Sequence, residues 1–178
     1  MLQRVKEAYG DRLQVQWHSF PLEQINSVQG PEWKLWEQPD EYRSKGLWAF
    51  RAAEAAKLQG EEAFERFHMA LLRARHVDKR DVADRAVLME TAREAGLNLE
   101  RFQRDLADRS LMAKIGEDYE RGVQDHGVWG TPTLVFDGGQ SAYLKLRPAP
   151  PVEDSVKVFE ELRDVISRPY VIEIKRPR

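Results

Sequence analysis

The sequence predicts an α/β fold in which a long all-helical block interrupts a small sheet. Three observations carry this expectation. Leu13-Gln-Val-Gln-Trp-His-Ser-Phe20 alternates apolar and polar side chains, the pattern of a strand with one buried face. From about Pro31 to Gly127, helix signals follow one another almost without interruption. After Gly127 the pattern returns to strands, with two apolar runs flanking Asp137-Gly138-Gly139. The 178 residues suit one domain with room for an insertion, and 42% hydrophobic with 33% charged residues is a folded composition rather than a disordered one. Lys and Arg number 28 against 30 Asp and Glu, a formal charge of −2, which argues against nucleic acid or an anionic membrane as partner. No apolar run approaches a membrane span, and a charged helical pattern follows Met1 at once, so a cytoplasmic location is expected. The chain has no cysteine, which excludes a disulfide, a thiolate nucleophile and a cysteine-ligated metal among its own residues.

The elements follow in order. Leu2, Val5, Ala8 and Tyr9 recur at helical spacing and Gly10 supplies a stop, yet no Ser, Thr, Asp or Asn precedes Leu2. In the strand over 13–20, Leu13, Val15 and Trp17 should face inward and Gln14, Gln16 and His18 outward. Pro21 ends it, and residues 20–27 leave as a loop. Helices are expected over 46–59, closed by Gly60, and over 61–75, with Phe64, Phe67 and Leu71 on one stripe. Further helices should start at an Asp81 cap and run to Ala95, at an Asn98 cap to Leu106, and at an Asp108 cap to His126. Strands over 133–136 and 141–146 make a hairpin, residues 148–151 a rigid connector, and Val152 to Ile166 an amphipathic helix. Tyr170 to Lys175 alternates as a last strand.

Phe20-Pro21-Leu22 with Asn26, Glu94-Ala95-Gly96-Leu97 with Phe102, and Gly127-Val-Trp-Gly-Thr-Pro-Thr133 together carry a family pattern. In this order of elements, the sequence resembles the DsbA-like branch of the thioredoxin superfamily, particularly FrnE-like thiol oxidoreductases and 2-hydroxychromene-2-carboxylate isomerases. The resemblance extends to about residue 167, and its most specific part is the Gly-Val-x-Gly-Thr-Pro-Thr run. It implies a thioredoxin-like sheet with an inserted all-helical sub-domain, residues 1–30 and 128–178 forming the thioredoxin-like portion and 31–127 the insertion. It also implies protein thiol–disulfide exchange as the family activity, and Pro132 as a cis-proline. The family's first strand and its Cys-x-x-Cys, or the Ser or Cys of the isomerases, have no counterpart here. The chain is therefore expected to begin inside the first helix of the family and to be redox-inactive as given. A non-catalytic peptide-binding module and a relative of the glutathione-dependent isomerases are the alternatives. Glutathione is the ligand, and a homodimer the assembly, compatible with the resemblance.

Candidate site residues follow from it. Trp129, Gly130, Thr131 and Pro132 are expected to bind an extended peptide or a glutathione-like ligand, with His18, Phe20 and Asn26 near the cleft. A cis Thr131–Pro132 bond would turn the Thr131 backbone toward such a ligand. No catalytic residue and no metal ligand is assigned. His18, His68, His76 and His126 fall on separate elements without ligand spacing, and His126 suits a helix C-terminus. Trp33 and Trp36 suit packing between the loop and the helical block, while Trp48 joins them as a weaker aromatic candidate. The missing first strand would leave a central slot in the sheet, which residues 170–175 could fill beside the strand over 141–146.

Overall fold

The structure, a computed structural model, describes residues 1–174. The chain divides into two compact units, Met1–Trp17 with the residues from Arg121 on, and His18–Glu120.

In the first unit, α1 (Leu2–Tyr9) has no side-chain cap at its start and ends at Gly10, whose φ of 55° suits glycine. It packs along α8 (Ser155–Ile166), burying Val5 against a face anchored by Phe159. The Tyr9 ring meets Phe159 edge-on at 6.4 Å, and Phe136 approaches it from the hairpin at 6.3 Å. The Tyr9 hydroxyl donates to Glu160 Oε1 at 2.6 Å, while Arg4 Nη1 donates to Ser155 Oγ at 3.3 Å and to the Pro150 carbonyl at 3.2 Å. The hairpin pairs β1 (Thr133–Val135) with β2 (Ser141–Tyr143) antiparallel, Thr133 facing Tyr143, Leu134 facing Ala142 and Val135 facing Ser141.

Three sequence expectations change in this unit. Residues 13–18 keep the alternation, with Leu13, Val15 and Trp17 half-buried and Gln14, Gln16 and His18 exposed, but they form no ladder. Alternation sets which way side chains point. A strand also needs a neighbour's N–H and C=O groups, and among the described residues none pairs here. For the same reason residues 170–174 are not a strand: Tyr170, Ile172 and Ile174 are 76%, 95% and 75% exposed, so the tail does not fill a slot beside β2. Lys175 lies outside the described residues. Finally, β2 stops at Tyr143 and α8 starts at Ser155, with Pro148, Pro150 and Pro151 in the connector between them.

In the second unit, the segment expected as a loop after Pro21 contains one helical turn, α2 (Leu22–Ile25). The helical block follows as α3 (Leu47–Lys57), α4 (Glu61–His76), α5 (Arg85–Glu94) and α6 (Leu99–Ala107), with α7 (Leu111–His126) contributing its residues up to Glu120. Ala52, Ala55 and Ala56 are buried on α3, and their small side chains let α4 and α6 approach it closely. Phe67 and Phe102 fill the space between helices, their rings 5.2 Å apart. A second cluster joins Leu35, Trp36, Leu47, Met112 and Ile115, with Trp33, Tyr42, Phe50 and Tyr119 packed against it. Asn98 caps α6 by accepting from the Arg101 N–H at 2.9 Å. The cap of α5 is Asp84 rather than Asp81: Asp84 accepts from the Ala86 N–H, while Asp81 accepts from the Ala83 N–H one turn earlier. The two aspartates are three residues apart, and Val82 between them is buried.

Arg51 joins three segments of this unit from a side chain only 2% exposed. Its guanidinium donates to the carbonyls of Ala107 at 2.5 Å and Asp108 at 3.2 Å, and to Asp40 Oδ1 at 2.9 Å. It thereby satisfies carbonyls left over at the end of α6.

Candidate functional site

The loop before β1 carries four of the residues singled out from the sequence. α7 ends at His126, and Gly127 turns the chain with φ 61°. Val128 N–H then returns to the Gly122 carbonyl at 2.9 Å. Gly130 is buried, and a Cβ there would meet the Tyr143 ring at 3.2 Å, so glycine lets the loop lie close over β2. Trp129 is 64% exposed and rests on Tyr143 with ring centroids 4.6 Å apart. The Thr131–Pro132 peptide bond is cis, and both residues are exposed. Pro132 C=O accepts from the Leu144 N–H at 2.9 Å, and Thr133 Oγ1 donates to the Gly130 carbonyl at 2.7 Å. Among the described residues, the Thr131 backbone N–H and C=O enter no hydrogen bond. An unpaired donor and acceptor beside an exposed indole can accept an extended backbone from elsewhere.

His18, Phe20 and Asn26 lie in the second unit and have separate surroundings. Phe20 is buried and stacks on Tyr119 at 4.8 Å, so it packs rather than lining an opening. Asn26 is exposed and donates from Nδ2 to the Leu22 carbonyl at 2.7 Å. His18 belongs to a polar network that the sequence reading did not find. Its Nδ1 sits 3.1 Å from Asp118 Oδ1, whose side chain is wholly buried while that of His18 is 48% exposed. Asp118 Oδ2 accepts from the Ser19 N–H at 2.9 Å, and Lys114 Nζ lies 3.2 Å from Oδ1. Beside it, Glu54 Oε1 accepts from Ser19 Oγ at 3.0 Å and from Lys57 Nζ at 2.8 Å.

The electrostatics of Asp118 are decided by competition. Burial acts against its charge, but the His18 ring, the Ser19 N–H, the His18 charge and Lys114 outweigh it and hold the carboxyl down at about 2. An ionised Asp118 can accept a hydrogen bond from His18 Nδ1 at 3.1 Å. The signal in the sequence was a carboxylate on an apolar stripe: Asp118 lies three residues after Ile115, and Glu54 lies between Ala52 and Ala55.

Of the remaining candidates, Trp36 is buried in the second cluster with Trp33 against its edge. Trp48 is faced by the guanidinium groups of Arg51 at 4.8 Å and Arg85 at 4.7 Å. His68 packs against Phe64, and burial, then the Lys57 charge, lowers its pKa to about 4. Among the described residues no group of three or more His, Cys, Asp or Glu side chains could hold a metal ion, and no helix is long and apolar enough to cross a membrane.

Residues 4–146 match the family described as thioredoxin, and the chain belongs to it. It is a thioredoxin-like domain, mostly helical, with a helical insertion and a small two-stranded sheet. Among curated proteins it is similar to the ClpXP adapter protein SpxH of Bacillus subtilis (strain 168), 30% identical over 128 residues. That alignment covers 72% of this chain and 42% of SpxH, so the chain spans less than half the length of this relative.

Proposed function

We propose that the chain is a peptide-binding module on a DsbA-like, thiol-oxidoreductase-type scaffold, holding an extended segment of a protein partner along the loop over 129–132. The unpaired backbone N–H and C=O of Thr131 carry this reading, since they offer one strand-like pair of hydrogen bonds to a passing peptide. Trp129, exposed on a Tyr143 platform, adds apolar contact at low entropic cost because its ring is already braced. Binding rather than exchange is favoured by chemistry: thiol–disulfide exchange needs a thiolate, and the chain has no cysteine. The designation of SpxH as a ClpXP adapter supports a protein-binding role in the same direction.

The test is calorimetric titration with an extended, aromatic-containing peptide of about ten residues. Saturable binding is expected, weakened roughly tenfold by Trp129→Ala. No saturable heat, or binding indifferent to Trp129→Ala, refutes the assignment. In thiol-oxidation and insulin-reduction assays this chain should show no turnover above buffer; measurable turnover would contradict the binding-only reading.

A further inference from the structure

We propose that a cleft in the helical unit, lined by Arg43, Ser44, Lys45, Arg75, Asp81 and Ala83, binds a phosphate-bearing small molecule. The cleft is an open one of about 440 Å³, in which Arg43, Lys45 and Arg75 are exposed, and its volume is within the range of small-ligand sites. Three chain segments meet there: the turn before α3, the last turn of α4 and the turn before α5.

Its charge distinguishes it. Several basic side chains elsewhere in this unit meet carboxylates: Lys34 with Glu120, Arg51 and Arg109 with Asp40, Arg80 with Glu90 and Glu94, and Lys114 with Asp118. Among the described residues, the side chains of Arg43, Lys45 and Arg75 enter no hydrogen bond or ion pair, although all three line one cleft. The lining holds these three cations and one carboxylate, a balance of +2 (three minus one). The Oδ1 of that carboxylate, Asp81, is engaged by the Ala83 N–H at 3.0 Å. Like charges gathered around one cavity repel, and a dianion placed between them relieves the repulsion.

The floor is fixed before any ligand arrives. Ser44 is buried, accepts from the Gly46 and Leu47 N–H groups at 3.2 and 3.0 Å, and donates to Glu23 Oε2 at 2.7 Å. The same Glu23 oxygen accepts from the Lys45 N–H at 3.2 Å, so the Arg43–Lys45 segment is braced through its backbone while its basic side chains stay unengaged. Two planar guanidinium groups suit the several oxygens of a tetrahedral phosphate, which take paired N–H donors. No aromatic ring lines the cleft to hold an apolar ligand. The charge balance matches a phosphate dianion better than a single carboxylate.

Calorimetric titration of the full chain with inorganic phosphate, and separately with glucose 6-phosphate, tests this. At low salt, saturable binding at or below about 1 mM is expected, weakening as salt is raised. The Arg43→Gln, Arg75→Gln double variant should bind at least tenfold more weakly. Lys45→Gln should bind more weakly to a smaller degree. Arg93→Gln, on the exposed side of α5 and outside the cleft, should bind like the unaltered protein. Tighter binding of the ester identifies a phosphorylated metabolite as the occupant, and tighter binding of phosphate alone identifies the free ion; either supports the site. No saturable binding of either probe below about 10 mM overturns it. So does equal weakening by Arg93→Gln, which would reduce the effect to overall charge. The cleft involves neither Trp129 nor Thr131, so its failure would leave the peptide-binding proposal standing.

Discussion

Gly116 lies in the interior of α7, where glycine is about 1 kcal/mol worse than alanine, so Gly116→Ala should stabilise the helix if nothing else intervened. The structure says that something does. A Cβ at position 116 would stand 2.5 Å from Trp36 Nε1 and 2.7 and 2.8 Å from two neighbouring indole carbons. Ordinary contact begins near 3.4 Å, so the indole or the helix must move by close to an ångström. The indole is poorly placed to yield: Trp36 is 8% exposed and packed with Leu35, Leu47, Met112 and Ile115, with the Tyr119 ring 5.3 Å away. Forcing bulk into such a core costs about 1–3 kcal/mol. Taken against the propensity gain, Gly116→Ala should lose up to about 2 kcal/mol. Urea unfolding followed by far-ultraviolet circular dichroism measures this directly. Repeating the substitution on a Trp36→Leu background isolates the cause. There the clash is gone, and alanine should be neutral or stabilising by up to about 1 kcal/mol. If Gly116→Ala is as stable as the parent, or if the loss persists without the indole, the close approach is not why glycine occupies this position.

Four further outcomes can be checked. His68 has a pKa lowered from 6.5 to about 4, so the unfolded chain takes up a proton before the folded one does. Stability should fall as pH drops from about 6.5 to 4, by up to about 3 kcal/mol, and His68→Leu should flatten unfolding curves across that window alone. Asp118 is lowered from 3.8 to about 2, so its contribution should be present above about pH 4 and lost between pH 4 and 2, about 2 kcal/mol in all. An Asp118→Asn variant whose acid unfolding matches the parent would count against the network around His18 and Ser19. Arg51→Met should cost about 1–3 kcal/mol in chemical unfolding, since it leaves the Ala107 and Asp108 carbonyls ending α6 without their buried donor while Asp40 keeps Arg109. Tyr143→Ala removes the ring beneath Trp129 and should weaken peptide binding in the calorimetric assay without changing urea stability by more than about 1 kcal/mol, because Tyr143 is itself 38% exposed.

The fold was most readable where one residue type decides a local event. Gly96 and Gly127 end helices at positive φ, Asn98 starts one, and the Asp137-Gly138-Gly139 turn makes a hairpin. It was least readable where the outcome depends on a partner distant in sequence. The alternation over 13–18 settled which side chains turn inward, but whether the backbone pairs is a property of neighbours that no local pattern encodes. Residues 170–174 repeat the case more sharply: the pattern is that of a strand, and Tyr170, Ile172 and Ile174 stand exposed. The polar network failed to show for a related reason. Asp118 and Glu54 look like solvated helix residues until Ser19, 99 and 35 positions away respectively, arrives with an N–H and a hydroxyl.

The absence of cysteine bears on the two halves of an oxidoreductase's work unequally. Exchange proceeds through a thiolate attacking sulfur, and no arrangement of the side chains in this chain can supply one. Holding a substrate peptide in line makes no such demand. It needs a backbone donor and acceptor left unpaired, kept exposed, and flanked by apolar surface. Thr131 meets the first two conditions and Trp129 on Tyr143 the third, and each is maintained by residues with no sulfur chemistry. Gly130 admits the Tyr143 ring, and Pro132 is tied to Leu144. A scaffold of this kind can therefore lose turnover while keeping recognition. Trp129→Ala should then weaken peptide binding about tenfold, while no substitution that leaves the chain without a thiol should give it exchange activity.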